Sequence, residues 1–349
     1  MAYQLFLDDL RTVGMVYKDR PAGDFIIVRS FDAFKSTILE RGLPAFISFD
    51  NDLGLDASGE LAPDGYAAAK WLVYESGFDL SELKYYVHSA NPVAAAQIRS
   101  LLDNYQSHLL KVKQEMTEQF NRIRSKFSQL STRDADQTVF GSTSHRYLFH
   151  QPVSIREIER FESRHGIRLP ADYTLFLTEM GNGGAGPYYG LEMLKNVLYT
   201  DLDYRNPHEL LDPASPFPHT TGWNVEFKPT IAEAEDPQGY EAQYETFSDM
   251  YFDPSWMNGA IAICNYGCGV FLHLIVNGLA YGTVWADYRG SDNGIQPAFV
   301  TGKTAPPTFF DWYESWLDES LARLPQQTNP SADNKTPKSP SRPWWKFLG

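Results

Sequence analysis

From Leu102 to Leu130, the apolar residues Leu102, Tyr105, Leu109, Val112, Met116, Phe120, Ile123, Phe127 and Leu130 recur at spacings of 3, 4, 3, 4, 4, 3, 4 and 3. This near-heptad stripe, with one slip between Met116 and Phe120, predicts a single long helix. At 1.5 Å per residue it would run roughly 55 Å. It either self-associates as a homodimer through residues 93–130 or lies against a domain as a strut. A chain of 349 residues is too long for one ordinary domain, and the helix separates two stretches of different character.

Before the helix, strand-like and helix-like patterns alternate. Gln4–Leu7, Phe25–Val28, Ala45–Phe49 and Tyr85–Val87 are short apolar runs. Phe31 to Glu40 has helical spacing, closed by Gly42, and Pro63-Asp64-Gly65 opens a helix that carries Ala68, Trp71 and Leu72. Asn91-Pro92 reads as an N-cap followed by Pro at the first helical position. The alternation predicts an α/β domain with a mostly parallel, flavodoxin-like sheet over residues 1–105.

Residues 106–150 are expected to hold the rest of the helix and a Ser/Thr/Asp-rich linker. A second, α+β domain is expected over 151–322. It opens on the capping-box pattern Ser154-Ile155-Arg156-Glu157. Strand-like runs follow at Ala260–Cys264, Val270–Val276 and Ala280–Trp285, and a final helix spans Phe309 to Ser320. Residues 323–349, rich in Gln, Asn, Pro, Ser and Lys, are expected to be disordered. They carry Trp344-Trp345, which reads as a docking or membrane-surface motif, or as a segment that packs back onto the chain.

Lys+Arg minus Asp+Glu is 9 − 14 = −5 over residues 1–100 and 7 − 5 = +2 over 101–150. It is 9 − 24 = −15 over 151–320 and 5 − 1 = +4 over 321–349. An acidic second domain disfavours nucleic acid and speeds encounter with a basic partner. No signal peptide or membrane-spanning run is evident, so a cytoplasmic location is expected. The two cysteines, Cys264 and Cys268, read as small core residues in a reducing compartment.

Polar residues follow three of the strand candidates: Asp8-Asp9, Asp50-Asn51-Asp52 and His88-Ser89. In an open α/β sheet, ligands bind at these carboxyl ends. Asp8, Asp9, Asp50 and Asp52 converging there would repel one another unless a hard cation such as Mg²⁺ neutralised them. His88 and Asp50 are the candidate catalytic groups, with His88 as acid or base. Arg11 joins them and could also grip phosphate, as could Ser89 and the helix start at Asn91. An alternative assigns the acidic pair to a turn and Asp52 or Asn91 to helix caps. An EF-hand at Asp50–Glu60 fails, because the Gly and ligand positions are out of step.

These stretches resemble a receiver domain, and more closely the cyclic-phosphate-processing receiver variant. The resemblance rests on Leu7-Asp8-Asp9-Leu10-Arg11, Ser48 to Gly54, Asp64-Gly65-Tyr66 and His88 to Pro92. It implies a metal-dependent enzyme acting on cyclic or terminal phosphates. Asn51 stands where that family often has His, and no fifth strand bears the Lys of signalling receivers. Aspartyl-phosphate signalling at Asp50 is therefore not expected.

The second domain resembles the SUKH (Smi/Knr-type) immunity superfamily. It does so through Ile155 to Glu159, Leu169 to Tyr173, Gly181 to Gly184, Tyr266 to Gly269, Gly282 to Trp285 and Phe310 to Leu317. The resemblance implies binding and neutralisation of a protein toxin, often a nuclease, with no cofactor and no chemistry of its own. The residues agree: this half has no nucleophile set, zinc spacing or P-loop, and His208, His219 and His273 read as surface or satisfied core groups. The candidate partner-binding residues are Asp201, Asp203, Glu233, Glu235 and Asp236.

Overall fold

The computed structural model describes residues 3–54 and 61–325, which fall into two compact units divided between Glu118 and Gln119. The tail with Trp344 and Trp345 lies outside the described residues.

In the first unit, β1 (Gln4–Leu7), β2 (Phe25–Val28), β3 (Phe46–Phe49) and β4 (Lys84–Val87) form an all-parallel sheet in the order β2-β1-β3-β4. That is the flavodoxin-like order. No fifth strand joins this sheet among the described residues. Side chains alternate between its faces. Leu5 and Leu7 enter one core with Ile47 and Phe49, while Phe6 meets Val13 and Phe25 on the other side. The inner strands β1 and β3 are covered on both faces and read as near-continuous apolar runs, while the edge strand β4 buries only Val87. The helices are α1 (Val13–Val16), α2 (Phe31–Arg41), α3 (Gly65–Tyr74) and the first part of α4 (Pro92–Arg133).

Two of the expected caps form. Asp64 accepts from Ala67 N–H at 2.8 Å, and Asn91 Oδ1 accepts from Val93 and Ala94 N–H at 3.1 and 3.2 Å. Gly65 is required by close approach, since a Cβ there would lie 1.9 Å from the Asp50 carbonyl oxygen.

The apolar stripe of α4 is used at both ends. Leu102, Tyr105 and Leu109 pack on the first core, and Phe120, Ile123 and Leu130 are buried in the second unit. Val112, between them, is exposed. Residues 134–150, expected as linker, are packed. Asp134 is buried and accepts from Thr138 N–H, Val139 N–H and Tyr147 O–H, and α5 (Ser142–His145) buries both its end residues.

The rest of the second unit combines α6 (Ile155–His165), α7 (Ala171–Glu179), α8 (Pro237–Tyr251) and α9 (Phe309–Arg323) with an antiparallel meander. Its strands are β5 (Ala260–Gly267), β6 (Val270–Ile275), β7 (Val284–Asp287) and β8 (Ile295–Pro297), in that order. Every residue of β6 is buried. Ser154 and Glu157 make the expected capping box.

Two expectations are corrected. The third strand begins at Val284, not Ala280, because Gly278 and Gly282 adopt left-handed backbone and turn the chain first. Cys268 is exposed at the β5–β6 turn with φ of 54°, so only Cys264 is a core residue. Helix α8 went unforeseen, although Asp236-Pro237 is an N-cap followed by Pro at N1. No described helix is long and apolar enough to cross a membrane.

Candidate functional site

The sheet register builds the site. Leu7 pairs with Phe49, and Phe49 with Val87, so Asp8, Asp50 and His88 each stand one residue beyond a strand in a common row. The ladder continues into that row, with Asp50 N–H on the Leu7 carbonyl and His88 N–H on the Phe49 carbonyl, both at 2.8 Å. Arg29, one residue past β2, joins them. Its Nη1 donates to the carbonyls of Asp8 at 2.7 Å and Arg11 at 2.6 Å, bracing the loop after β1. Sequence reasoning overlooked Arg29, although the same position-after-the-strand rule would have found it.

Asp8, Asp9 and Asp50 each offer a carboxylate oxygen, all within 4.8 Å of one another. Such hard oxygen donors suit Mg²⁺. Asp52 is not among them. It is exposed and accepts from Asn51 Nδ2 at 3.2 Å.

Arg11 is already committed to this cluster. Its Nε lies 2.7 Å from Asp8 Oδ2, its Nη2 lies 2.6 Å from Asp50 Oδ2, and Nη1 donates to the His88 carbonyl at 3.1 Å. In this state the donor fork expected to meet phosphate is spent on carboxylates. Burial disfavours the Asp8 charge. The N–H groups of Arg11 and Leu10, with the His88 and Arg11 side chains, outweigh burial and hold its carboxyl below the ordinary range.

His88 is placed beneath the acidic cluster. Its side chain is 2% exposed and its ring stacks on Phe6 at 4.7 Å. Nε2 lies 3.0 Å from Asp8 Oδ2, and Nδ1 lies 2.8 Å from Ser48 Oγ, which meets Tyr17 Oη at 2.8 Å. Burial pushes its pKa down, against the raising effect of Asp8, so the imidazole is neutral near pH 7. With both ring nitrogens engaged, His88 orients Asp8, and any proton it moves at Nε2 passes through that carboxylate. Ser89 and Asn91 are also occupied locally: Ser89 Oγ accepts from Asn91 N–H at 3.2 Å, and Asn91 caps α4.

In the second unit, the five partner-binding candidates are at least partly exposed. Three of them have evident local duties. Asp201 Oδ1 accepts from the N–H groups of Asp203 and Tyr204, and Asp236 caps α8. Asp203 meets Asn265 Nδ2 at 2.6 Å, linking its loop to β5. Among the histidines, His208 is exposed and His219 meets the Trp256 carbonyl at 3.1 Å. His273 departs from expectation, being buried with Nδ1 unpartnered. The buried Arg289–Asp287 pair at 2.7 Å, unseen in the sequence, locks the end of β7 to the carbonyls of Tyr251 and Asp253.

A parallel sheet whose strand ends gather three carboxylates, a guanidinium and a buried imidazole defines a receiver-type domain. It precedes an α+β unit built on a four-stranded meander. Residues 3–104 match the family described as cyclic-phosphate processing receiver domain, and residues 152–299 match the SMI1/KNR4 family (SUKH-1). The chain thus carries a cyclic-phosphate processing receiver domain followed by a domain of the SUKH immunity family. No curated protein and no solved structure matches it.

Proposed function

We propose that this is a bacterial immunity-type protein whose SUKH domain binds and neutralises a basic protein toxin of the nuclease kind. The single observation that carries the reading is the SUKH-1 match over 152–299, in a stretch where residues 151–320 hold 24 acidic against 9 basic residues. A nuclease that attracts phosphate is complementary to such a surface. Of the candidates Asp201, Asp203, Glu233, Glu235 and Asp236, the first proposed contacts are Glu233 and Glu235, whereas Asp201, Asp203 and Asp236 are held by hydrogen bonds within the unit.

The test uses the full chain as bait in its host at low and moderate salt. Recovery of a basic nuclease whose activity falls on adding the full chain supports the reading. A recovered partner whose activity does not change, or no partner at all, counts against it.

A second reading is favoured by the Asp8, Asp9 and Asp50 cluster within the receiver domain. Here the first domain is a metal-dependent enzyme processing cyclic or terminal phosphates, and the SUKH domain targets it. Asp8, Asp9 and Asp50 would hold Mg²⁺, which would supply charge neutralisation for a phosphate oxygen. Arg11 would release Asp50 to meet the ligand, and His88 would keep Asp8 oriented. Mg²⁺-dependent opening of a 2′,3′-cyclic nucleotide, abolished in Asp50→Asn, supports this. An unchanged rate in Asp50→Asn removes it. Self-association through residues 93–130 would draw on Val93, Leu110 and Val112, the large apolar side chains exposed on α4.

A further inference from the structure

The second unit contains an open cavity of about 700 Å³, lined by Phe140, Tyr188, Tyr266, Phe299 and Trp316. Tyr188 and Tyr266 pack edge to face at 4.3 Å, and Phe140 meets both at 6.4 Å. Phe140 is 57% exposed and Phe299 80% exposed. Exposed aromatic surface gathered in one place is costly in water and marks a binding site more often than scattered apolar residues do. No described residue covers these rims.

The chain itself supplies an occupant. Leu324 lines the cavity, and Pro325 is the last described residue, so the polypeptide leaves from the cavity wall. Residues 326–341 contain no large apolar side chain; Arg342-Pro343-Trp344-Trp345-Lys346-Phe347-Leu348 then follows. Sixteen intervening residues reach up to roughly 55 Å when extended, ample to return to the point of departure. Charge agrees as well. Residues 326–349 carry Lys335, Lys338, Arg342 and Lys346 against Asp333 alone, whereas residues 151–320 hold 24 acidic against 9 basic residues; on the cavity wall itself Glu319 pairs with Arg323 at 3.7 Å. A Trp or Phe ring fits an aromatic cavity edge to face, and the flanking cations gain from the aromatic faces.

We infer that residues 342–349 dock in this cavity of the same chain, with Trp344 or Trp345 as the anchor. The segment is an intramolecular ligand of the SUKH-bearing unit and covers its exposed aromatic face.

The experiment places a photo-crosslinking p-benzoylphenylalanine at position 345 of the full chain and maps adducts by peptide mass spectrometry. The expected result is intramolecular adducts at Phe140, Tyr188, Tyr266, Phe299 or Trp316. Excess synthetic peptide of residues 342–349 should compete them away. Phe299→Ala and Glu319→Lys change exposed side chains, so folding is not at stake. Each should lower the adduct yield about tenfold, the effect of removing an interface hot spot. Adducts elsewhere on the chain, adducts only between two copies, or labelling of added phosphatidylserine vesicles in place of the cavity would each overturn the inference.

Discussion

Nη2 of Arg11 stands 2.6 Å from Oδ2 of Asp50, while Nε of the same guanidinium holds Asp8 at 2.7 Å. A positive side chain therefore does within this acidic cluster what a divalent ion would otherwise do. It comes from the loop after β1, not from a Lys on a fifth strand. The two cations compete for the same oxygens, so metal affinity and apo stability should trade against each other.

Arg11→Ala should therefore destabilise the first unit in EDTA by about 3 kcal/mol, the lower range for stripping a partner from buried charges. Added Mg²⁺ should recover part of that loss, and Mg²⁺ should bind the variant more tightly than the parent. Urea midpoints with and without Mg²⁺, together with calorimetry, measure both effects. Equal stability of variant and parent in EDTA would show that the ion pair contributes nothing.

Gly65→Ala should disturb the site without touching a ligand. The new Cβ would meet the Asp50 carbonyl oxygen at 1.9 Å and the Asn51 Cα at 2.9 Å, both backbone atoms with little room to move. A loss of about 1–3 kcal/mol is expected from the overpacking, with weaker Mg²⁺ binding because Asp50 shifts. Unchanged Mg²⁺ affinity would separate the Asp64-Gly65 turn from the site.

Acid should weaken both units, for the same reason. His88, His145 and His273 are all depressed from 6.5 by burial, the last two to about 4. Below pH 6.5 the unfolded chain takes up protons that the native imidazoles refuse. Stability is thus complete above 6.5 and is lost as pH falls toward the folded values. For His145 and His273 the window runs down to about 4, each contributing on the order of 3 kcal/mol. Hydrogen exchange read separately on peptides from β1 and from β6 measures each unit. His273→Phe should flatten the decline in β6, and an unaltered slope would refute the assignment.

Asp236→Ala should cost about 1 kcal/mol through loss of the α8 cap, with little change in partner affinity. Glu233→Lys with Glu235→Lys should do the reverse, leaving stability intact and slowing partner association at low salt. Thermal melts and surface plasmon resonance separate the two. If Asp236→Ala weakened binding as much as the charge reversals, Asp236 would be a contact as well as a cap.

The sequence by itself determined the local elements and the edge where the receiver site forms. Apolar runs, spacing and caps act between near neighbours, so Gln4–Leu7, Phe25–Val28, the Asn91 cap and the Ser154–Glu157 box were all legible. In a parallel sheet, moreover, residues just past the strands must converge, which brought Asp8, Asp50 and His88 together on paper. What each side chain does there was decided only in three dimensions. Arg11 spends its fork on Asp8 and Asp50, His88 sinks between Ser48 and Phe6, and Asp52 turns out to water. The stripe of α4 read as one surface, yet its ends are buried in two different cores and Val112 is left exposed. Periodicity says that a face will be buried. Which partner buries it depends on contacts between residues far apart in the chain, such as Phe120 with Phe310, and those exist only once the units have folded.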